Sequence, residues 1–235
     1  MITKESGVIM ENFHSYYDLK LILTKKTISS PEIQKEYVSI PGRDGVIDIS
    51  EELTGTIKFN ERAISLEFFS VAPAQKWSVE QSDLQNKLLG KRTKIIFDDD
   101  PNYYWNGRIE KIEPNQDGNH MKYSMEINVD PYKMDLNSSI EDWIWDDFDF
   151  DYGVINEAKN IRVYGNTYVY IYAGRKRTYP IITSDADMNL EYKGNIYAVT
   201  KGKTAMRDLI LEEGDNELCF KGKGIVSVEY RGGSL

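Results

Sequence analysis

Residues 38–49 read VSIPGRDGVIDI, two apolar alternations, Val38/Ile40 and Val46/Ile47/Ile49, on either side of Pro41-Gly42-Arg43-Asp44-Gly45. Proline presets one turn position, and the two glycines supply the positive φ angles that tight reversals need. Asp-Gly between strand-like runs is a strong short-range hairpin signal. The stretch therefore predicts a β-hairpin whose tip holds Arg43 and Asp44 outward as an ion pair. Taken alone, such a tip is the end of a hairpin and names no function.

Outward from it, the chain keeps the same character. Residues 6–25 predict two strands, the second opening on Asp18-Leu19-Lys20-Leu21-Ile22-Leu23. Thr56 to Val71 predicts two more around Asn60-Glu61-Arg62, and Lys94–Phe97, Tyr104–Glu113 and Met121–Val129 continue the series. One helix interrupts them at about 79–89. Ser78-Val79-Glu80-Gln81 has the form of a capping box, Leu84, Leu88 and Leu89 share a side, and Gly90 is the stop. Pro131 and the polar run Lys133–Ser139 suggest a boundary, so domains are expected at 1–134 and 135–235. The second shows short strands about every ten residues: 167–173, 179–183, 188–192, 196–200, 205–211, 216–221 and 225–230. Glycine-containing turns separate them, Lys221-Gly222-Lys223-Gly224 among them, and that rhythm predicts an antiparallel β-sandwich. The fold class expected is mainly β, with one helix in the first domain.

Composition narrows the function. The 235 residues include 16 tyrosines, and aromatic side chains suit pleated, half-buried surfaces. No run approaches the roughly 18 apolar residues of a membrane span, and the start lacks the pattern of a signal peptide. The single cysteine, Cys219, rules out an intrachain disulfide, and an oxidising compartment is not needed. A formal charge of −9 argues against nucleic acid. Six negatives fall in Glu141–Asp151, leaving −3 for the rest, so the acidity is local.

No catalytic, cofactor or metal site is expected. His14 and His120 lie in separate segments and in no recognisable catalytic string. Cys219 sits between Leu218 and Phe220, the setting of an inert buried thiol. Asp147, Asp149 and Asp151 alternate along an extended run and are the one set suited to Ca²⁺. An EF-hand loop would need glycine and glutamate where Tyr152 and Ala158 stand, so a solvated strand face is the plainer reading. Asp98-Asp99-Asp100 reads as a loop at a strand end, and Arg175-Lys176-Arg177 as a solvated turn or an inter-subunit contact. Trp143 and Trp145 could offer a sugar platform, but no His, Arg or Asn pairs with them at short spacing.

Taken in order, several strings resemble the distal tail protein (Dit) family of long-tailed phages and prophages of Gram-positive bacteria. They are Phe13-His14-Ser15-x-x-Asp18-Leu19-x-Leu21, Pro31, Val38-x-Ile40-Pro41-Gly42-Arg43-Asp44-Gly45, the single helix, and Asp130-Pro131-Tyr132. The last is Leu211-x-x-Gly214-Asp215-Asn216-x-Leu218-x-Phe220-x-Gly222-x-Gly224-x-Val226. Tyr16-Tyr17 stands where the family often has Phe-Gly, and the linker is unusually acidic. The resemblance implies a non-enzymatic protein with a ring-forming N-terminal β domain and a galectin-like C-terminal sandwich. It implies a homo-hexameric ring at the virion tail tip, assembled in the bacterial host cytoplasm. The partners implied are the tail tube protein, the tail-associated fibre or lysin protein, and a receptor-binding protein. Pro41–Gly45 is then a candidate ring-interface hairpin. The alternative is a carbohydrate-binding module that recognises host cell-wall polysaccharide through the second domain.

Overall fold

Alternation decides the first half of the chain. In Arg62–Ser70 the side chains of Ile64, Leu66, Phe68 and Ser70 are buried, and in His120–Val129 those of Met121, Tyr123, Met125, Ile127 and Val129 are. Period-two burial of this kind gives each strand one core face. The structure, a computed structural model, describes residues 7–52, 55–141 and 158–235. It divides into two compact units, Met1–Lys133 and Met134–Leu235.

Unit 1 contains β1 (Val8–Met10), β2 (Phe13–His14), β3 (Leu21–Ile28), β4 (Tyr37–Ser39), β5 (Val46–Asp48) and β6 (Arg62–Ser70). A 3-10 turn (Ala74–Lys76), helix α1 (Trp77–Leu88), β7 (Arg92–Phe97), β8 (Tyr103–Asp117) and β9 (His120–Val129) follow. The sheet runs β2-β1-β7-β8-β9-β6-β3, antiparallel throughout. β4 and β5 pair only with each other. At Gly107 an added Cβ would lie 2.4 Å from the Asn128 carbonyl oxygen, so glycine is what lets β8 and β9 close there.

α1 covers one face of this sheet through Leu84 and Leu88, which join Phe68, Phe97 and Tyr123 in the core. Glu80 fixes its rotation. Its carboxylate accepts bonds from the Ser70 hydroxyl (2.7 Å) and the Tyr123 hydroxyl (3.0 Å). Two expectations about α1 fail. The Ser78–Gln81 capping box does not form, because the 3-10 turn feeds the helix from Lys76 and puts Ser78 inside its first turn. Leu89 leaves the apolar side, since it is already extended (ψ 133°) as the helix ends before Gly90. The first of the two strands expected in Thr56–Val71, before the turn at Asn60-Glu61-Arg62, is also missing. Only Phe59 bridges, to Ile33, and no buried residue in 55–61 ties the segment to a core.

β10 (Lys133–Asp135) starts at the last residue of unit 1, and unit 2 contains β11 (Ile161–Ala173), β12 (Ile181–Ser184), β13 (Met188–Tyr192), β14 (Asn195–Val199), β15 (Gly202–Ala205), β16 (Gly214–Glu229) and β17 (Gly233–Ser234). Here the largest correction falls. The two strands expected at 216–221 and 225–230 are one strand of 16 residues, and Gly222-Lys223-Gly224 is no turn. β16 pairs with β11 through Gly214–Val226, with β13 through Cys219–Lys221, and with β12 through Val226–Glu229. Gly222 lies opposite Gly165 where the neighbour changes, and a Cβ there would stand 2.7 Å from that of Met188. The glycines make room for a neighbour while the ladder continues. The order is β14-β13-β16-β12-β15, with β11 also on β16, and this antiparallel set closes the sandwich over Phe220, Leu218, Val226 and Ile171. The strand expected at 205–211 is mostly loop. Met206, Leu209 and Leu211 are nonetheless buried, so the apolar run fills the core without extending the sheet.

Candidate assembly surfaces

The hairpin predicted at 38–49 is present, built from β4 and β5 with Tyr37 opposite Asp48, Val38 opposite Ile47 and Ser39 opposite Val46. Gly42 (φ +83°) and Gly45 (φ +80°) turn the loop, and the Arg43 amide bonds back to the Ile40 carbonyl at 3.1 Å. Ser50 ties the base. Its hydroxyl accepts from the Glu36 amide (2.8 Å) and donates to Asp48, and its amide also donates to Asp48 (3.0 Å); these two bonds from Ser50, the hydroxyl's first, hold the Asp48 carboxyl below its usual range. No side chain of the hairpin belongs to either core. Tyr37, Val38, Ile40 and Val46 are all exposed, Val46 by 57%. The expected ion pair is not formed: Arg43 and Asp44 are both exposed, and no salt bridge joins them. An exposed pair is worth only about 0–1 kcal/mol, too little to order a six-residue loop.

The Phe13-His14-Ser15-x-x-Asp18 string builds the turn from β2 to β3. The His14 amide donates to Asp18 (2.7 Å), and the Ser15 hydroxyl accepts from the Val8 amide (3.2 Å). Nδ1 of His14 accepts the Tyr16 and Tyr17 amides (3.1 and 3.2 Å). Nε2 therefore carries the proton and donates to Asp98 at 3.1 Å, which also accepts the Gly7 amide. The pair has the outline of an acid–base dyad. Both ring nitrogens are occupied, so neither is free to take a proton from a substrate.

The neighbouring acids are committed as well. Asp99 pairs with Lys26, and Asp100 with Lys133 at 2.8 Å. No cluster of ligating side chains suited to a metal occurs among the described residues. Cys219 is a free, buried thiol in β16. In the second unit Asn216 (3% exposed) bonds to the Tyr192 hydroxyl (2.6 Å) and to the carbonyls of Glu212 and Gly214. The Gly214-Asp215-Asn216 string is thus the anchored entry to the long strand.

Residues 13–130 match the family described as the phage tail protein RIFT-related domain. The chain belongs to that family. The fold of this phage tail protein is also that of the solved SPP1 Dit (gp 19.1) protein, described as a paradigm of hub adsorption apparatus in Gram-positive infecting phages. The two are 14% identical with a TM-score of 0.62, over 99% of this chain and 100% of that one. A chain of the phage p2 baseplate, in its activated conformation with Sr, aligns at 11% identity and a TM-score of 0.43, over 96% and 97% of the two chains. No curated protein matches.

In the phage tail protein, Arg175-Lys176-Arg177 is engaged within its own unit. Arg177 reaches Glu212 at 3.7 Å, and Lys176 reaches the Met134 sulfur at 3.3 Å. Asp147, Asp149, Asp151, Trp143 and Trp145 lie outside the described residues. Sequence reading missed the row of exposed tyrosines on β11, Tyr164, Tyr168, Tyr170 and Tyr172. Their two-residue spacing was the available signal, but which side of the strand faces outward depends on distant partners.

Proposed function

We propose that this phage tail protein is a tail-tip hub, a homo-hexameric ring joining the tail tube protein to the tail-associated fibre or lysin protein. A receptor-binding protein is a further neighbour on the ring. In this reading the ring forms in the bacterial host cytoplasm, the finished protein sits at the virion tail tip, and the role is structural and not enzymatic. The observation that carries it is a fold shared with the SPP1 hub protein over essentially the whole of both chains.

The hairpin at 37–48 supports the same reading. A lone two-stranded hairpin is marginal in water, and this one exposes four large apolar residues. A cyclic ring needs complementary head-to-tail surfaces, and a neighbouring subunit can cover such an arm. Pro41, Gly42, Arg43, Asp44 and Gly45 at its tip, with the opening strands of residues 6–25, are the proposed ring contacts.

Light scattering after size exclusion tests the proposal, with negative-stain imaging of the largest species. A holed particle of about 163 kDa, six times the 27.1 kDa chain, is expected. A monomer both alone and in the presence of tail tube protein would overturn it.

A further inference from the structure

The outer face of the β11–β16 ladder carries chemistry that neither core uses. Tyr168 lies opposite Cys219, Tyr170 opposite Glu217 and Tyr172 opposite Asp215. The three rings are 55%, 68% and 47% exposed, and Asp215 and Glu217 are exposed beside them. Alternate residues of a strand are about 6.7 Å apart on one face, so the rings form an evenly spaced row.

Elsewhere in unit 2 acids and rings have found cations. Glu191 pairs with Lys221, Glu212 with Lys193, Glu229 with Lys203, and Glu141 with Arg231. Lys193 stands over the Tyr192 ring at 5.5 Å, and Lys223 over Tyr164 at 5.9 Å. Among the described residues, Asp215 and Glu217 make no ion pair, and Tyr168, Tyr170 and Tyr172 have no cation over them. The nearby Lys221 is spent on Glu191.

We propose that this face docks an extended, cationic segment of a protein partner, with Lys or Arg at alternate positions. The spacing is what such a strand presents: each cation meets a tyrosine ring and a carboxylate of the next row. Two negative groups disfavour an anionic glycan. The basic loop of a second copy is a poor occupant, because Arg177 and Lys176 are already held within their own unit. Its residues all lie in unit 2, and its test reads peptide binding and not ring mass, so either proposal can fail alone.

Fluorescence anisotropy on the full-length chain tests it, with a labelled synthetic peptide of alternating Lys and Thr as the probe. Saturable binding is expected, weakened about tenfold or more by Asp215→Asn with Glu217→Gln, and by Tyr170→Ala. The Glu-Thr counterpart should not bind. A control that removes two charges from the other unit, Glu110→Gln with Glu113→Gln, should bind as wild type does. Unchanged melting temperatures would show that the variants are folded. Absence of saturable binding overturns the proposal. So does equal loss in the control, which would mean attraction to net charge alone, or displacement of the peptide by a neutral polysaccharide, which would make the face a glycan platform.

Discussion

Two antiparallel strand pairs in this phage tail protein, β4 with β5 and β11 with β16, do opposite jobs. β4 and β5 pair over three residues, bury nothing in either core, and end in a glycine-punctuated loop. β11 and β16 pair over thirteen residues, and their inward side chains are the centre of a core, with glycines inside the ladder. The difference lies in what the flanking side chains meet. Val38 and Val46 meet water, whereas Leu218, Phe220, Val226 and Val228 meet a sandwich. A hairpin that costs its subunit nothing to open is suited to contacts outside that subunit.

Mutation can break this comparison. Phe220→Ala should cost about 3–5 kcal/mol in urea unfolding, because a fully buried ring leaves a cavity. Val46→Ala in the exposed hairpin should stay within about 0.5 kcal/mol, and equal losses would contradict the division drawn here. Next in size, Gly222→Ala should cost about 1–3 kcal/mol, since the new methyl meets Met188. Gly42→Ala, with open space around it, should leave the global unfolding midpoint unchanged while loosening the loop locally.

Alkaline pH sharpens the contrast from the side of the cores. Burial raises the Tyr123 and Tyr230 hydroxyls above the ordinary tyrosine value of 10.0, helped at Tyr123 by Glu80 and at Tyr230 by Asp135. The unfolded chain releases these protons from about pH 10 upward while the folded chain keeps them. The stabilisation is therefore present below pH 10 and is lost as pH rises beyond it. Urea midpoints at pH 9 and pH 11 should show that loss, and Tyr123→Phe should flatten it. The smallest effect on subunit stability belongs to Arg43→Glu with Asp44→Lys. The melting temperature should hold while the ring mass falls, and an unchanged ring would acquit the hairpin tip.

What was legible in the sequence follows the range of the forces involved. The 38–49 hairpin and the Leu84/Leu88 side of α1 are decided by neighbours a few residues away. Met188–Tyr192 was readable to the residue, because it alternates and is closed by Lys193-Gly194. Gly222-Lys223-Gly224 was not, since the same letters serve a turn or a crossing point, and Gly165 and Met188 decide which. The His14–Asp98 bond joins residues 84 positions apart, and nothing local announces it. The tyrosines of TYVYIYA were visible as a strand, but their outward side was set by β16.

β16 also has a consequence in time. Its three neighbours, β11, β12 and β13, all precede it in the chain, and among the described residues β11 pairs with no other strand. During synthesis the sheet of unit 1 has all its strands once Val129 has emerged, whereas the second sheet lacks its central member until Gly214–Glu229 arrives. Pairings that wait on so late a segment fold slowly, since the closure entropy must be met before any contact forms. The phage tail protein should therefore mature in two steps, with its N-terminal half ordered on the ribosome before the other half has begun.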